Sequence, residues 1–403
     1  MAPQKYPKGE TIIPKGELLE HVFLSVLRDA SMDLPGIPNW LTAGVQKEPI
    51  QIFDINGSIL FFDFAVKKGT EILGYVRAGA DKVLGFPRIA YEMGPRPWDF
   101  DVAVKKLTPR VRKEYPNWKI LGNKLVCYSY PKLGVMFEAV NERGEASRLI
   151  FDVADFSLIP EKPPRAPVEG AYAWSFYGSL TEDIRKTSLK RFDQFDKWRL
   201  EVPESLRKEI RAARTLLGYV EKIKWPSKRR GSKQLQYCTH YDYNEPRSHH
   251  SFVLHAQQRN DYCAVATCQM ILCYYRYYYS QDQIAPALGY SPGSGCPSDQ
   301  SPGYKQLSCK HLDATYDSSP TWEKARDQID ALHPLKSGIS HHARACAGYS
   351  YVWWLFGGIT EKKLYIYDPW PWNSDYKLGG TVYWEDWDLI THTNYVFTRL
   401  LCP

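Results

Sequence analysis

Residues 255–273 read HAQQRNDYCAVATCQMILC, and this stretch decides the fold because it places a cysteine where a buried helix is expected to begin. The residues after Cys263 are mostly small or apolar and include neither Gly nor Pro, a pattern that predicts a helix packed inside a domain. In the first turn of such a helix, unpaired backbone N–H groups and the positive end of the helix dipole favour a thiolate over a thiol. The thiolate is the nucleophilic form of cysteine, so Cys263 is the candidate nucleophile.

A polar loop leads into this helix, and Gln257 stands in it six positions before Cys263. The side-chain amide of Gln257 is a suitable donor to join the backbone N–H of Cys263 in binding the oxyanion of an acyl-transfer intermediate. Gln257 is therefore the candidate oxyanion-hole residue.

A thiolate nucleophile needs a base and a group that orients the base, and both residue types follow along the chain. Residues 339–349 predict a buried strand of small residues that has His341 and His342 near its start and a glycine near its end. Residues 363–368 predict a strand that ends on Asp368 and is stopped by Pro369. Cysteine, histidine and aspartate thus occur in an order that suits nucleophilic catalysis.

Together these features resemble a papain-like cysteine peptidase, and most closely the compact branch that includes bacteriocin-leader peptidases. The features are the glutamine before the cysteine, the helix after it, the His-Ala-x-Ala-x-x-Gly-Tyr strand from His342 and the strand that ends in Asp-Pro. The resemblance implies an α+β fold in which the helix bearing the cysteine packs on an antiparallel sheet bearing the histidine and the aspartate.

The same resemblance selects one of the two adjacent histidines. In papain-like enzymes the histidine opens a strand that reaches Gly-Tyr after six residues, and His342 meets that count at Gly348. Adjacent strand residues face opposite sides of a sheet, so only one histidine can meet the cysteine, and His341 is expected at the rim. The implied catalytic residues are Cys263, His342 and Asp368, with Gln257 at the oxyanion hole.

Two positions distinguish this chain from papain itself. Papain uses asparagine to orient its histidine, whereas Asp368 corresponds to the leader-peptidase branch. Ala264 replaces the glycine that is common after the nucleophile, and this replacement alters the expected shape of the substrate cleft.

Each of these residues also has a plain structural interpretation. A cysteine on an apolar helix is usually a small core residue, as expected for Cys268 and Cys273. His342 could be a hydrogen-bonded core histidine, and Asp368 could simply close its strand before a proline.

Two further functions stay open at this point. One is a related acyl transferase or amidase, such as a transglutaminase, which uses the same triad with another acyl acceptor. The other is a catalytically inactive module that binds a peptide or glycan in an aromatic cleft around Trp353, Trp354, Trp370 and Trp372.

Composition excludes several other classes of protein. The chain has 403 residues, enough for two or three domains, and its formal charge of +7 is mild for this length, so no nucleic-acid partner is expected. No apolar run reaches the roughly 18 residues of a membrane span, and no signal peptide is recognisable. We expect a cytoplasmic protein, or a secreted one that has lost a leader, whose partner is a protein or peptide substrate.

The nine cysteines define neither a disulfide framework nor a metal site. An odd number leaves at least one thiol free. Cys296 and Cys309, in or just after a Ser/Pro/Gly-rich loop, could pair with each other or bind metal, but no CxxC pair is present. We expect neither a metal ion nor another cofactor.

Residues 1–165 are predicted to form a separate α+β domain. A helix over residues 15–29 precedes two strands joined at Asn56-Gly57, and a second helical region over residues 101–115 should be kinked or split by Pro109. Each helix is followed by antiparallel strands, here including residues 72–77, 124–130, 135–140 and 148–153. This pattern resembles the cystatin-like pro-regions ahead of some bacterial papain-like peptidases.

Residues 166–234 are predicted to be a linker with a helical connector, and residues 235–403 the catalytic domain. A proline-rich run, residues 160–167, precedes the helices of the connector. These helices should cover residues 181–197 and 203–217, and the second should stop at Gly218. In the catalytic domain a helix and three strands are expected at residues 321–332, 352–356, 364–367 and 395–401.

Residues 228–233 are basic and glycine-containing, and we expect an exposed loop there that proteases cut readily. The resemblance to pro-regions implies that residues 1 to about 225 restrain the peptidase until this loop is cut. A scaffold or recognition role for the same residues is the alternative.

Overall fold

The computed structural model describes residues 11–161, 172–223, 227–234, 252–354 and 360–401, with only the backbone for residues 227–234, 353, 354 and 360. The chain divides into two compact units. Of the described residues, the first unit comprises residues 11–95, 176–223, 227–228 and 354, and the second comprises residues 96–161, 172–175, 229–234, 252–353 and 360–401.

The described elements include α-helices and β-strands, which confirms the α+β class. Up to residue 212 they are α1 (Lys15–Ser31), β1 (Gly44–Val45), β2 (Ile50–Asp54), β3 (Ile59–Lys68), β4 (Glu71–Gly79), β5 (Arg88–Met93), α2 (Phe100–Glu114), β6 (Trp118–Ser129), β7 (Lys132–Asn141), β8 (Ala146–Asp152), α3 (Phe176–Ser179), α4 (Glu182–Glu201) and α5 (Glu204–Ala212). From residue 227 they are β9 (Ser227–Gln234), α6 (Cys263–Tyr274), α7 (Gln281–Ala287), α8 (Ser301–Leu307), β10 (Leu312–Asp317), α9 (Trp322–Asp330), β11 (Leu335–Ile339), β12 (His342–Trp354), β13 (Thr360–Asp368), β14 (Thr381–Asp386) and β15 (His392–Leu400).

In the first unit an antiparallel sheet has the strand order β5–β4–β3–β2, and β1 also pairs with β3. α1 packs against β4 and β5 and buries apolar side chains such as Val22 and Leu27. The predicted turn at Asn56-Gly57 is present, and Gly57 has a φ of +92°, which glycine adopts without steric strain. The sequence thus predicted α1 and the β2–β3 hairpin correctly.

α2 runs unbroken through Pro109, so the expected split into two pieces is wrong, and the alternative, a kink, stays a prediction. Asp99 accepts a hydrogen bond from the Val102 N–H and caps the first turn. An apolar side that includes Leu107 and Val111 is buried, and this burial offsets the roughly 3 kcal/mol that a proline inside a helix costs.

α5 is shorter than predicted, since it ends at Ala212 rather than continuing toward Gly218. Leu216 and Leu217 both donate their backbone N–H groups to the carbonyl of Leu41. Tertiary hydrogen bonds therefore replace the helical ones over this stretch, and the predicted stop at Gly218 is wrong.

The basic segment of residues 228–233 lies in β9, which pairs with β12. The expectation of a loop is therefore wrong for the backbone of this segment. Strand pairing is made by main-chain N–H and C=O groups, so a basic, glycine-containing segment can join a sheet whatever its side chains prefer.

In the second unit, β6, β7 and β8 form an antiparallel meander, and α2 contacts β6 and β7. A second antiparallel sheet has the strand order β10–β15–β11–β12–β13–β14. α6 contacts α7 and β11, and all of its residues are buried, as its apolar composition predicted. The predicted catalytic region is thus a buried helix beside an antiparallel sheet.

Residues 96–161, which the sequence assigned to an N-terminal domain, lie in the same compact unit as the predicted catalytic region. The boundaries at residues 165 and 235 stay a prediction, and most of the proline-rich run lies outside the described residues. Within the described parts of the chain, none of the helices has both the length and the apolar composition that crossing a bilayer needs.

Candidate active site

Cys263 is the first residue of α6 and is completely buried. The residue before it, Tyr262, makes no side-chain hydrogen bond to the first turn, so that turn has no side-chain cap. Asp261 fixes the approach to the helix, since its carboxylate accepts hydrogen bonds from the Tyr290 hydroxyl at 2.8 Å and the Gly293 N–H at 3.0 Å. The thiol therefore lies at a helix start whose path is held by a buried carboxylate.

The loop before Cys263 is bonded to the segment that follows Asp368. The backbone N–H of Gln257 donates to the Pro369 carbonyl at 2.9 Å, and the N–H of Asn373 donates to the Gln257 carbonyl at 3.0 Å. These main-chain bonds bring together two of the motifs that are more than a hundred residues apart in sequence.

The side chain of Gln257 is engaged within its own loop. Its Nε2 donates to the carbonyls of Arg259 and Asn260 at 2.8 and 2.9 Å, which uses both amide N–H groups. Among the described residues its Oε1 has no hydrogen-bond partner. In this structure Gln257 shapes the approach to Cys263, and its role in an oxyanion hole stays a prediction.

His342 and Asp368 meet across two paired strands. His342 opens β12 and Asp368 ends the antiparallel β13, in which Tyr367 lies opposite Ala345. The start of one strand therefore lies beside the end of the other, and His342 Nε2 is 2.8 Å from Asp368 Oδ1. Both side chains are fully buried.

His341 is placed differently from its neighbour. Its φ of +56° puts it in the turn between β11 and β12. Its imidazole Nε2 is hydrogen-bonded to the hydroxyl of Tyr172, whose ring also contacts the imidazole edge-on. His341 is thus only partly buried, whereas His342 points into the protein interior toward Asp368.

Asp368 belongs to a wholly buried hydrogen-bond network that the sequence analysis missed. Its Oδ1 also accepts the Trp370 N–H at 2.9 Å, and its Oδ2 accepts the Tyr383 hydroxyl at 2.9 Å. Arg344 donates to the Tyr383 oxygen at 2.9 Å and to both carboxylate oxygens of Glu385 at 3.0 and 2.9 Å. Period-two spacing offered one signal, because Arg344 lies two residues after His342 and so shares its side of β12.

Burial dominates the electrostatics of the pair. It lowers the pKa of His342 to about 4, although Asp368 opposes this shift, while Lys132 and Arg344 reinforce it. Burial raises the pKa of Asp368, but His342, Arg344 and the Trp370 N–H together bring it below its ordinary value. At neutral pH the pair is therefore a neutral imidazole and a carboxylate.

The predicted triad is only partly assembled. His342 Nδ1 is buried and has no hydrogen-bond partner among the described residues, so the Cys263 thiol does not bond to it. The structure thus brings His342 and Asp368 into contact and places Gln257 beside the segment that follows Asp368. It shows no hydrogen bond between the Cys263 thiol and the His342 imidazole.

The β6–β7–β8 meander is hydrogen-bonded to the segment that follows Asp368. Asp152, at the end of β8, accepts hydrogen bonds from Trp370 Nε1 at 2.8 Å and from the Tyr128 hydroxyl at 2.7 Å. Trp174 adds a hydrogen bond from its Nε1 to the Ser129 hydroxyl at 2.9 Å. Burial raises the pKa of Asp152 to about 6, as does neighbouring Asp155. Residues of the meander therefore form part of the surroundings of the His342–Asp368 pair.

One group of possible metal ligands lies in the first unit, at Glu17, His21 and Asp196. Arg199 lies 2.7 Å from Asp196 and 3.7 Å from Glu17, so these carboxylates already have a cationic partner. This arrangement is an ion-pair network and does not favour a metal ion.

The described cysteines form no disulfide bonds with one another, so Cys296 and Cys309 are not paired with each other. Cys268 and Cys273 are buried core residues, as expected, and burial raises the pKa of the Cys268 thiol. Cys238 and Cys402 lie outside the described residues. Of the predicted aromatic cleft, the side chains of Trp353 and Trp354 also lie outside them.

Comparison with known proteins agrees with the C-terminal part of the prediction. A model of the Peptidase_C39 like family matches residues 249–393, a range that contains all four predicted site residues. The C-terminal region matches a family of cysteine peptidases. No curated protein matches the chain.

Two solved structures are similar to part of the chain. One is a double glycine motif protease from an AMS/PCAT transporter in complex with the leader peptide, at 16% identity over 36% of this chain and 90% of that chain, with a TM-score of 0.27. The other is UfSP from C. elegans, at 16% identity over 37% of this chain and 32% of that chain, with a TM-score of 0.26. The cystatin-like assignment of the N-terminal part stays a prediction.

Proposed function

We propose that this protein is a cysteine peptidase in which Cys263 is the nucleophile, His342 the base and Asp368 the group that orients the imidazole. The observation that carries the proposal is the buried His342–Asp368 pair at 2.8 Å, in the region where the family model matches. A carboxylate bonded to Nε2 leaves the proton-accepting role to Nδ1. Nδ1 is the nitrogen that has no hydrogen-bond partner among the described residues.

Hydrolysis then proceeds in two stages. The Cys263 sulfur attacks the peptide carbonyl as its proton passes to His342 Nδ1, the C–N bond breaks, and the leaving amine takes that proton. Water next attacks the thioester, gives a proton to His342, and releases the carboxylate while the thiol is regenerated. The Cys263 N–H, with Gln257 if its amide leaves the loop carbonyls, stabilises the oxyanion.

Two changes must precede this chemistry. The Cys263 thiol must form a hydrogen bond with His342 Nδ1, which has none among the described residues, and substrate must reach a cysteine whose exposed fraction is 0%. A more polar surrounding would also raise the pKa of His342, since burial is the main cause that lowers it. Substrate access and formation of the thiolate–imidazolium pair are therefore coupled.

The decisive experiment is cleavage of a mixed peptide library by the full chain, followed by mass spectrometry. Cys263→Ala should abolish cleavage, and Cys268→Ala is the matched control, because Cys268 is an equally buried cysteine in α6. Cleavage by Cys263→Ala at the wild-type rate would reject the proposal. An added primary amine tests the alternative, because an acyl transferase would give amide products in place of free carboxylates.

We further propose that the N-terminal part restrains the peptidase. One observation favours this idea: Asp152, which belongs to the predicted N-terminal part, accepts a hydrogen bond from Trp370 beside Asp368, while Cys263, His342 and Asp368 are all fully buried. The predicted cutting site lies in β9, where strand pairing protects the main chain, so a protease needs local opening before it can cut. Cutting should therefore be slow and should precede the rise in activity.

Limited trypsin digestion of the full chain tests the restraint. We expect activity to rise as residues 228–233 are cut, and the rise to disappear when Lys228, Arg229, Arg230 and Lys233 are all replaced by glutamine. Activity that is already maximal in the uncut chain would leave the N-terminal part as a recognition or scaffold region.

A further inference from the structure

Lys132 is a buried lysine that the proposed mechanism does not use. It is the first residue of β7, directly after the turn from β6, and its exposed fraction is 1%. Its Nζ is buried and has no hydrogen-bond partner among the described residues. An ammonium group in such a place is unfavourable unless an anion accompanies it.

Strand register places Lys132 on the side of the β6–β7–β8 meander that is bonded to the segment after Asp368. Gly134 pairs with Asp152 in β8, so these two residues share one side of the meander. Lys132 lies two residues before Gly134 and therefore shares that side as well. Asp152 on this side binds Trp370, whose backbone N–H binds Asp368.

The electrostatics agree with this placement. Lys132 is one of the charges that lower the pKa of His342, and among them it acts more strongly than Arg344. The residues around Lys132 at the turn between β6 and β7 are also buried, namely Tyr128, Ser129, Tyr130 and Leu133. Register and charge thus both place the ammonium beside the proposed catalytic histidine.

The carboxylates in this neighbourhood already have other donors. Asp152 is bonded to Tyr128 and Trp370, while Asp368 is bonded to His342, Trp370 and Tyr383. Glu385, behind them, is paired with Arg344. None of these carboxylates hydrogen-bonds Lys132 in the described part of the chain, so the ammonium is the one local cation there that lacks an anionic hydrogen-bond partner.

We propose that Lys132 is a specificity-determining residue that binds a carboxylate of the substrate beside the scissile bond. The inference rests on the proposed peptidase function and deepens it, because it names acidic peptides as the substrate class. The carboxylate can come from an aspartate or glutamate side chain or from the free C-terminus of a peptide. Either would supply the counter-ion that Lys132 lacks and would help to admit the substrate to the buried site.

Turnover by the full chain tests the proposal with pairs of peptides that differ in one group. One pair carries Glu or Gln beside the cleaved bond, and the other ends in a free carboxylate or an amide. We expect the wild type to favour one acidic member by about 10- to 100-fold in kcat/KM, mainly through KM. The pair that shows the preference identifies the source of the carboxylate.

Three variants separate specificity from other effects. Lys132→Met should bring the ratio within each pair close to one, Lys132→Arg should keep most of the preference, and Lys119→Met, an exposed change in β6, should leave it unaltered. The proposal is overturned if the wild type has no acidic preference, or if Lys132→Met changes the rates of both members equally. An equal rise would mean that Lys132 restrains the site, and an equal fall that it acts through stability.

Binding separates this inference from the proposed function. In a Cys263→Ala background, fluorescence anisotropy with labelled members of both peptide pairs should show a preference for the acidic member of one pair, which Lys132→Met should remove. Preferential binding without any turnover by the wild type would reject the peptidase and leave the carboxylate site in place. Turnover with equal affinity and equal kcat/KM for the two members of each pair would reject the carboxylate site and leave the peptidase.

Discussion

The two compact units each contain a buried histidine beside an aspartate, and the two pairs differ in what surrounds them. In the first unit His21 Nε2 of α1 lies 3.2 Å from Asp196 Oδ1 of α4. In the second unit His342 Nε2 lies 2.8 Å from Asp368 Oδ1. Burial lowers the pKa of both imidazoles and both carboxylates have pKa values below their ordinary range, so a histidine–aspartate contact does not by itself define a catalytic site.

The difference lies in the other partners of each pair. Asp196 Oδ1 also receives Arg199 Nε at 2.7 Å, and His21 packs edge-on against Phe192 with ring centres 5.4 Å apart. That pair links helices and belongs to a network of ion pairs. His342 Nδ1 has no hydrogen-bond partner in the described chain, and His21 Nε2 likewise lacks an aligned hydrogen bond despite its 3.2 Å contact with Asp196. What distinguishes the Asp368 pair is the segment after Asp368, which is bonded to the loop that leads to Cys263.

The two pairs should differ most in the effect that removal of the imidazole has on kcat/KM. His342→Ala should reduce kcat/KM by more than about 10³-fold, because it removes the proposed acceptor of the thiol proton. His21→Ala should leave kcat/KM of the folded protein unchanged and reduce the free energy of unfolding by about 2–4 kcal/mol, since it removes a fully buried ring. Peptide turnover and urea unfolding of both variants measure this contrast, and a large loss of turnover in His21→Ala would contradict it.

The second contrast concerns the aspartates. Asp368→Asn preserves the shape of the side chain but removes the charge that stabilises an imidazolium, so we expect kcat/KM to fall by roughly 10- to 10³-fold, less than for His342→Ala. Asp196→Asn should weaken the Arg199 ion pairs and reduce stability only. Equal turnover in the wild type and Asp368→Asn would remove Asp368 from the proposed triad.

Sequence patterns predicted the residues that meet through regular structure. α6 was predictable from its apolar composition, and His342 with Asp368 from the start of one strand and the end of another. Contacts that depend on tertiary placement were not predictable, such as the hydrogen bonds of Asp368 to Tyr383 and of Asp152 to Trp370. Nothing local to Asp152 indicates that a tryptophan more than two hundred residues later will bind it.

The same limit explains the errors in α2 and α5. Pro109 lies inside α2 because the buried side of that helix outweighs the local preference of proline. α5 ends early because Leu216 and Leu217 bond to the distant Leu41 carbonyl. Local propensity is a weak guide wherever such long-range contacts decide the conformation.

Acid should destabilise the protein through both pairs. The pKa of His342 is about 4 in the folded protein and near 6.5 when unfolded, so between these values the unfolded chain binds more protons and stability falls as pH falls. The contribution of neutral His342 to the free energy of unfolding is fully present above about pH 6.5. This contribution should decrease by about 1–2 kcal/mol from pH 7 to pH 5. His342→Gln should show a smaller decrease than the wild type in urea unfolding at these two pH values, and equal decreases would contradict the assignment.

The smallest effect is expected at Tyr383, and it tests whether the network behind Asp368 contributes to function. Tyr383→Phe keeps the buried ring but removes the hydroxyl that donates to Asp368 Oδ2 at 2.9 Å and accepts from Arg344. Asp368 keeps His342 and the Trp370 N–H, and Arg344 keeps Glu385, so neither charge is left without a partner. We therefore expect only a 3- to 10-fold fall in kcat/KM and a loss of about 1–2 kcal/mol in unfolding free energy.

Tyr277→Phe is the matched control for this change, because the Tyr277 hydroxyl contacts His311 in an exposed position. The loss of a donor should raise the pKa of Asp368, so activity in Tyr383→Phe should decline at a higher pH than in the wild type as the medium is acidified. A network that only supports the fold, like the one around His21, would lower stability without moving the pH profile. Such a result would make the two histidine–aspartate pairs functionally alike, and a shifted profile would set them apart.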